Sequence, residues 1–279
     1  MSADPGISPS AYEYLTGLIY RHSRIYLGPH KQELVASRLR RRRIQLGLKS
    51  FDQYCDVLRN ARSEEEIEIV IDLISTNHTH FFRERAHFDF LTQHALPALH
   101  KQLATSRNPV RCWSAASSSG EEVYTVGIVM AEFEREHGTF PWEIHGSDIS
   151  TRMLEKAQSA IYELSRLELP SPTLLHRYFQ KGHGRFEGHA RIKDSIRSRV
   201  NLKRVNLFQT NYPIPPDQHL IFCRNVLIYF DTPSQSEVIR RLSNQLAPGG
   251  YLFIGHSESL MNIPHRLRSL GQGIFMKPR

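Results

Sequence analysis

The sequence predicts an α/β protein: a mostly parallel sheet covered by helices on both faces, with a helical unit ahead of it and a small antiparallel insert within it. Three observations carry this expectation. From Val110 onward, short apolar runs alternate with amphipathic stretches, the pattern of parallel strands joined by crossover helices. Residues 1–75 show helical spacing of their apolar positions. Residues of about 164–199 break the alternation, being rich in Pro, Gly, His and charge.

The totals set limits on function. A chain of 279 residues is enough for one large domain or two modest ones. With 40% hydrophobic and 23% charged residues it has an ordinary globular composition. No apolar run is long enough to span a bilayer, and Met1 to Ser10 lack the basic-then-apolar order of a signal peptide. Cys55, Cys112 and Cys223 stand far apart, which argues against a disulfide framework or a zinc site. The expected compartment is therefore the cytoplasm. A net charge of +8 and a pI near 9.5 imply an acidic partner: nucleic acid, a membrane surface or an acidic protein. A generally basic surface with no partner accounts for the same charge.

In chain order, Tyr12–Arg24 is helix-like, with Leu15, Leu18 and Ile19 on one face. A second helix is expected over His30–Leu46, burying Leu34, Val35, Leu39 and Ile44 and ended by Gly47. It carries a dense basic block, Arg38 and Arg40 to Arg43. That block is either a docking face for an acidic surface or a solvated face. Ser50 would cap a third helix, Phe51–Asn60, and Ser63 with Glu66 resembles a capping box ahead of Ile67–Leu73. The segment Ser75 to Glu84 reads as a joint, its Phe81-Phe82 pair acting as a staple. His78 and His80 are too poorly accompanied for a metal site, and Arg83 offers a planar fork suited to a carboxylate. Phe88–Leu103 is a further helix.

Strands are then expected at Val110–Trp113, Glu143–Ile149, Val200–Val205, His219–Cys223, Tyr251–Ile254 and Gly273–Met276. Helices are expected at Val123–Glu136, Thr151–Tyr162 and Gln235–Leu246. Within the insert, Arg177–Gln180 and Gly188–Ile192 read as short antiparallel strands. Their exposed edge is open to an added peptide strand, and a plain surface hairpin is the alternative.

In an open parallel sheet, ligands bind beyond the carboxyl ends of the strands, near the switch in strand order. The first strand delivers Ser114 to Gly120, a run of small residues that lets a ligand approach the backbone, followed by Glu121 and Glu122 in the first helical turn. Two carboxylates there would repel a pyrophosphate. The second strand delivers Asp148, an acceptor for two ribose hydroxyls or else a helix cap. The third delivers Asn206, and the fourth Arg224 and Asn225. There is no Gly-Lys-Ser/Thr after the loop and no Gly-x-Gly-x-x-Gly, which disfavours a P-loop or a dinucleotide site. A nucleoside with a cationic tail fits this set, as S-adenosylmethionine does. Which of Glu121 and Glu122 faces it stays open.

Five runs carry a resemblance that covers nearly the whole chain: Thr76 to Glu84, Trp113 to Glu122, Ser147 to Ile149, Phe222 to Asp231 and Gly255 to Glu258. In this order they resemble the CheR family of chemotaxis receptor glutamate methyltransferases. The resemblance implies a Rossmann-like class I methyltransferase sheet with an N-terminal helical domain and a small antiparallel β insert. The domains would be 1–75 (helical), 76–90 (a linker contributing to the cofactor site) and 91–279 (the methyltransferase domain, with the insert at about 164–199). It implies S-adenosyl-L-methionine as cofactor and S-adenosyl-L-homocysteine as product, with glutamate side chains of receptor cytoplasmic domains as acceptors in sensory adaptation. Asn77, Thr79 and Arg83 resemble linker residues that close over the cofactor. Glu122 matches the cofactor-contacting acid, Asp148 the ribose holder, and Asn206 and Leu207 the adenine flank. Arg224 and Asn225 match residues near the methionine moiety. Arg83 and Tyr229 are the candidate catalytic pair, Tyr229 resembling a tyrosine near the incoming substrate. No metal is expected. The helix Arg38 to Arg43 resembles a basic helix that meets acidic receptor helices, and the insert's edge is a second candidate contact. Where the family often has Pro-Tyr after the acid pair, Val123-Tyr124 stands here. Two rivals remain at this point. An RNA methyltransferase would need aromatic platforms among its basic residues, which the Arg38 to Arg43 block lacks. A cofactor-binding protein without catalysis would not need the full set at the strand ends.

Overall fold

The computed structural model describes residues 6–60, 65–103, 108–138 and 140–279. It divides into two compact units: residues up to 76 together with 229–234, and residues 77–228 together with 235–279.

The first unit contains α1 (Pro9–Ser23), α2 (Gln32–Gln45), α3 (Phe51–Asn60) and α4 (Glu65–Ile74). The first helix starts earlier than its apolar spacing suggested, because Ser8 Oγ accepts the Ala11 N–H at 3.1 Å and Pro9 suits the first turn. Helix α1 packs on α3 and α4, and α2 packs on α4. Leu15, Leu18, Ile19, Val35, Leu39, Tyr54 and Val70 are buried. The capping box expected at Ser63 falls outside the described residues.

Helix α2 corrects the sequence reading. Val35 and Leu39 are buried as expected, but Ile44 is 59% exposed and Arg43 takes the buried slot. Its guanidinium lies 5.1 Å over the Phe51 ring and donates to the Lys49 carbonyl. Arg38 donates to the carbonyls of Ile74 (2.6 Å) and Ser75 (2.7 Å), which α4 leaves without a helical partner at its C-terminus. Arg42 forms a two-pronged pair with Glu66 (3.0 and 2.5 Å), whose carboxylate also accepts the Tyr54 hydroxyl at 2.6 Å. Three arginines of the basic block therefore hold the unit together. Arg40 and Arg41 remain on the exposed side.

The second unit begins with α5 (Ala86–Phe90), which runs through a π turn (Leu91–Ala95) into α6 (Leu96–Leu103). It continues with β1 (Val110–Ser114), α7 (Glu121–His137), β2 (Trp142–Asp148), α8 (Thr151–Ser159), β3 (Ile161–Glu163), α9 (Pro172–Tyr178), β4 (Phe179–Lys181), β5 (His189–Ile192), α10 (Asp194–Arg197), β6 (Val200–Arg204) and β7 (Gln218–Phe222). Helix α11 (Thr232–Gln245), β8 (Leu246–Phe253), β9 (Arg268–Gly271) and β10 (Ile274–Met276) complete it. The large sheet has the order β6-β2-β1-β7-β8-β10-β9. Strands β6, β2, β1, β7 and β8 are parallel, and β10 runs antiparallel to both its neighbours. The order reverses between β1 and β7, so the crevice of this fold opens beyond Ser114 and Phe222.

The small sheet has the order β3-β5-β4, antiparallel throughout. Its first strand comes from residues expected to end a helix. Ala160 takes a left-handed φ of 53°, which stops α8 at Ser159 and releases Ile161–Glu163 to pair with β5. The sheet thus begins ahead of residue 164. Phe81, expected as a staple between domains, is buried edge-on against Tyr162 (4.9 Å) and Phe179 (5.6 Å) of this insert. In the large sheet, Phe222 and Phe253 stack at 4.3 Å and Phe88 lies parallel to Phe222 at 6.1 Å, fixing α5 over the ends of β7 and β8.

Candidate functional site

The loop after β1 is built by close approach. Gly120 has φ +95°, and a Cβ there would lie 2.9 Å from the Ala157 Cβ and 3.0 Å from the Tyr162 hydroxyl, so only glycine fits. The Tyr162 hydroxyl donates to the Ser119 carbonyl at 2.8 Å, tying the insert to the loop. Asp148, at the end of β2, accepts the Ser118 N–H (2.8 Å) on one carboxylate oxygen and the Ser150 N–H (2.9 Å) on the other. Ser150, not Asp148, caps α8, through Met153 N–H at 3.1 Å. These bonds orient the Asp148 carboxylate at the end of β2, and a carboxylate is the acceptor type that vicinal hydroxyls need.

Glu122 and Glu121 diverge. Glu122 accepts the Ser114 hydroxyl at 2.6 Å and lies 3.1 Å from the Arg224 guanidinium, turned across the ends of β1 and β7. Glu121 accepts the Ser119 hydroxyl at 2.7 Å, turned back to its own loop. Burial raises the carboxyl of Glu122, opposed by Arg224 and Ser114. Burial likewise raises that of Glu121, opposed by Ser119.

Arg224 sits at the centre. Its side chain is 1% exposed and is gripped by Glu84 (3.0 and 3.3 Å), Glu122 and the Arg83 carbonyl. Its guanidinium also lies 5.4 Å over Phe88. Glu84 accepts the Asn225 amide at 3.0 Å and the His256 N–H at 3.2 Å on its other oxygen. Burial would raise the Glu84 carboxyl, but the Asn225 amide, the Arg224 charge and the His256 N–H hold it down at about 2. Phe82 and Glu84 both adopt left-handed φ (54° and 57°), an uncommon conformation for such residues. The grip of Arg224 on Glu84 and on the Arg83 carbonyl fixes this segment in place. Arg83 itself donates to the His78 carbonyl at 2.8 Å.

Glu84, His87 and His256 bring one ligand atom each to within 4.8 Å of one another. The carboxylate is already committed to Arg224, Asn225 and His256, and a cation there would face the guanidinium directly. His87 Nε2–H donates to the Gln272 carbonyl (2.6 Å), and burial pushes its imidazole down to about 4, with Arg224 acting in the same direction.

Of the remaining sequence candidates, the Asn77 carbonyl accepts the Ser118 hydroxyl at 3.1 Å, bringing the start of the second unit onto the loop. Thr79 is half-buried in the same segment. Asn206 Oδ1 accepts the Phe208 N–H at 3.0 Å, and the Leu207 carbonyl accepts the Tyr212 hydroxyl at 2.5 Å, so both residues shape the turn after β6. Tyr229 belongs to the first unit, where its carbonyl accepts the Tyr26 N–H at 2.8 Å. Sequence reasoning assigned no role of their own to Glu84 and Glu258, and took Ser114 only as part of the small-residue loop. The one signal for Glu84 was an arginine at the end of a buried strand, which demands carboxylates without naming them.

The donor set can be tested against a ligand. Glu84 and Glu122 set two carboxylates against the one guanidinium of Arg224, an excess negative charge beside a loop of small residues. This suits a ligand whose tail is net cationic, and Asp148 suits its ribose. The fold and these strand ends together define a Rossmann-like α/β domain of the S-adenosylmethionine-dependent methyltransferase class. The family model described as the SAM-binding domain of CheR methyltransferases matches residues 77–275, and the all-alpha domain of the same enzymes matches residues 10–75. The chain belongs to the CheR methyltransferase family, and S-adenosylmethionine is its cofactor. It is 38% identical over 271 residues to the chemotaxis protein methyltransferase of Salmonella typhimurium, covering 96% of this chain and 90% of that one. It is 40% identical over 260 residues to chemotaxis protein methyltransferase 2 of Pseudomonas aeruginosa, covering 92% and 89%. Among the described residues, no helix is long and apolar enough to cross a membrane.

Proposed function

We propose that the chain transfers a methyl group from S-adenosylmethionine to glutamate side chains of chemotaxis receptors, giving glutamate methyl esters and S-adenosylhomocysteine in sensory adaptation. The observation that carries this reading is the match, over both domains and nearly the full chain, to proteins named as chemotaxis methyltransferases.

When bound, the cofactor supplies an electrophilic methyl on a sulfonium. Asp148 would hold the ribose, Asn206 and Leu207 the adenine flank, and Glu122, Arg224 and Asn225 the amino-acid tail. Asn77, Thr79 and Arg83 would cover it from the linker. A glutamate acceptor is already ionised at neutral pH, so no residue need act as general base, and orientation supplies most of the rate. An arginine paired strongly with the acceptor would hold it back, since its charge is neutralised in the transition state. Arg224 is spent on Glu84 and Glu122 and does not compete for the acceptor. Arg83 is braced on the His78 carbonyl and would orient groups, while Tyr229 would give a milder hydrogen bond.

For receptor contact, the exposed Arg40 and Arg41 of α2, beside exposed Ile44, replace the whole block from Arg38 to Arg43 as the docking charges. The insert's edge strands, β3 and β4, are a second contact. The test is transfer of labelled methyl to a receptor cytoplasmic fragment, with release of the label by mild base as the ester signature. Label that resists base contradicts the reading.

A further inference from the structure

We propose that Glu258 is a positioning residue of the methyl-transfer site, acting through the backbone of residues 225–228. The inference rests on the function proposed above and assigns a role to the Gly255-His-Ser-Glu258 run, which no cofactor or acceptor contact explains.

Four N–H groups converge on the Glu258 carboxylate. Gly255 (2.6 Å) and Asn225 (2.9 Å) donate to one oxygen, and Leu227 (2.7 Å) and Ile228 (3.3 Å) to the other. The turn carrying Glu258 is closed by its own N–H to the Gly255 carbonyl at 2.9 Å. Asn225 is thereby held at φ +58°, a conformation that asparagine tolerates better than most residues but does not prefer. The Asn225 side chain is fixed independently, through its amide to Glu84. Gly255 permits the approach: a Cβ there would lie 2.5 Å from the Asn225 amide nitrogen and 2.9 Å from the Glu258 carboxylate. Backbone and side chain of Asn225 are thus held by two partly buried acids from different parts of the chain. The same carboxylate fixes Leu227 and Ile228, the residues that lead into Tyr229.

A carboxylate is required because both its oxygens face donors. In Glu258→Gln one of them becomes an NH2 group pointed at N–H groups, which repels them. Gly255→Ala keeps the acid's charge but crowds both Asn225 and the Glu258 carboxylate, so a loss shared by the two variants follows geometry and not charge.

Both variants are compared with wild type in two measurements: calorimetric titration with S-adenosylhomocysteine, which counts folded sites, and labelled methyl transfer to a receptor fragment at saturating cofactor. The expected result is that kcat per binding site falls about tenfold or more in both variants, as small misplacements do, while KM for the receptor fragment is little changed. If kcat per site equals wild type in either variant, Glu258 is only a turn brace and the proposal is overturned. A wild-type protein that leaves the receptor fragment unlabelled overturns the glutamate reading itself, a failure distinct from equal rates.

Discussion

Replacing Arg224 by Met tests the buried charge cluster directly. The substitution keeps an apolar side chain of comparable length over Phe88 but removes the cation between Glu84 and Glu122. Both carboxylates are only 14% exposed, and both lie within 3.1 Å of the guanidinium. Removing one partner of a buried ion pair costs about 3–5 kcal/mol, because the other charge is left uncompensated. In a domain of this size roughly 2–4 °C of melting temperature accompanies each kcal/mol, so the transition of the methyltransferase domain should fall by on the order of 10 °C. The assay is scanning calorimetry without cofactor at pH 8 and pH 5. The gap from wild type should narrow at pH 5, because a carboxylate freed of Arg224 can take up a proton there. Arg85→Met is the control: its pair with Asp89 is exposed on both sides and is worth roughly 0–1 kcal/mol. An Arg224→Met transition within about 2 °C of wild type, or one equally lowered at both pH values, would refute the account of this cluster.

Three further outcomes are expected. Glu122→Gln should weaken cofactor binding by about tenfold to a hundredfold, the worth of a charged hydrogen bond, whereas Glu121→Gln should change it far less; calorimetric titration separates them. Paired replacement of Arg40 and Arg41 by Ala should raise KM for the receptor and flatten its salt dependence, whereas Arg38→Ala, which strips the C-terminus of α4 of its donor, should destabilise the helical domain. His87 titrates at about 4 in the folded chain and near 6.5 when unfolded. Its contribution to stability is therefore full above pH 6.5 and lost as pH falls through that window to about 4, by roughly 3 kcal/mol. Denaturant titrations of wild type and His87→Gln across the window should show a steeper slope in wild type, the rest coming from His145, His219 and His80, which burial also depresses.

The alternation of apolar runs and amphipathic stretches revealed most of the parallel strands to within a residue or two, because buried central strands are written as continuous apolar segments. Strand β9 was missed for the opposite reason: Arg268-Ser-Leu-Gly is a short, half-polar edge with no period to detect. Strand β3 was hidden inside a helical pattern that Ala160 breaks without any glycine to announce it. In α2, apolar spacing selected Ile44, whereas the buried place belongs to Arg43, whose carbonyl partners and aromatic platform lie beyond the helix end. At the site, the strand ends with their loop and Asp148 were legible as a set. The two acids that organise it were not, since Glu84 meets Arg224 and Glu258 meets Asn225 across long stretches of chain, and no local pattern records such pairings.

The most direct measurement is tandem mass spectrometry of a receptor cytoplasmic fragment after incubation with this protein and S-adenosylmethionine. The account predicts the mass of one methyl group on glutamate residues, lost on mild alkaline treatment. A methyl group on lysine, on arginine or on no protein residue at all would contradict it.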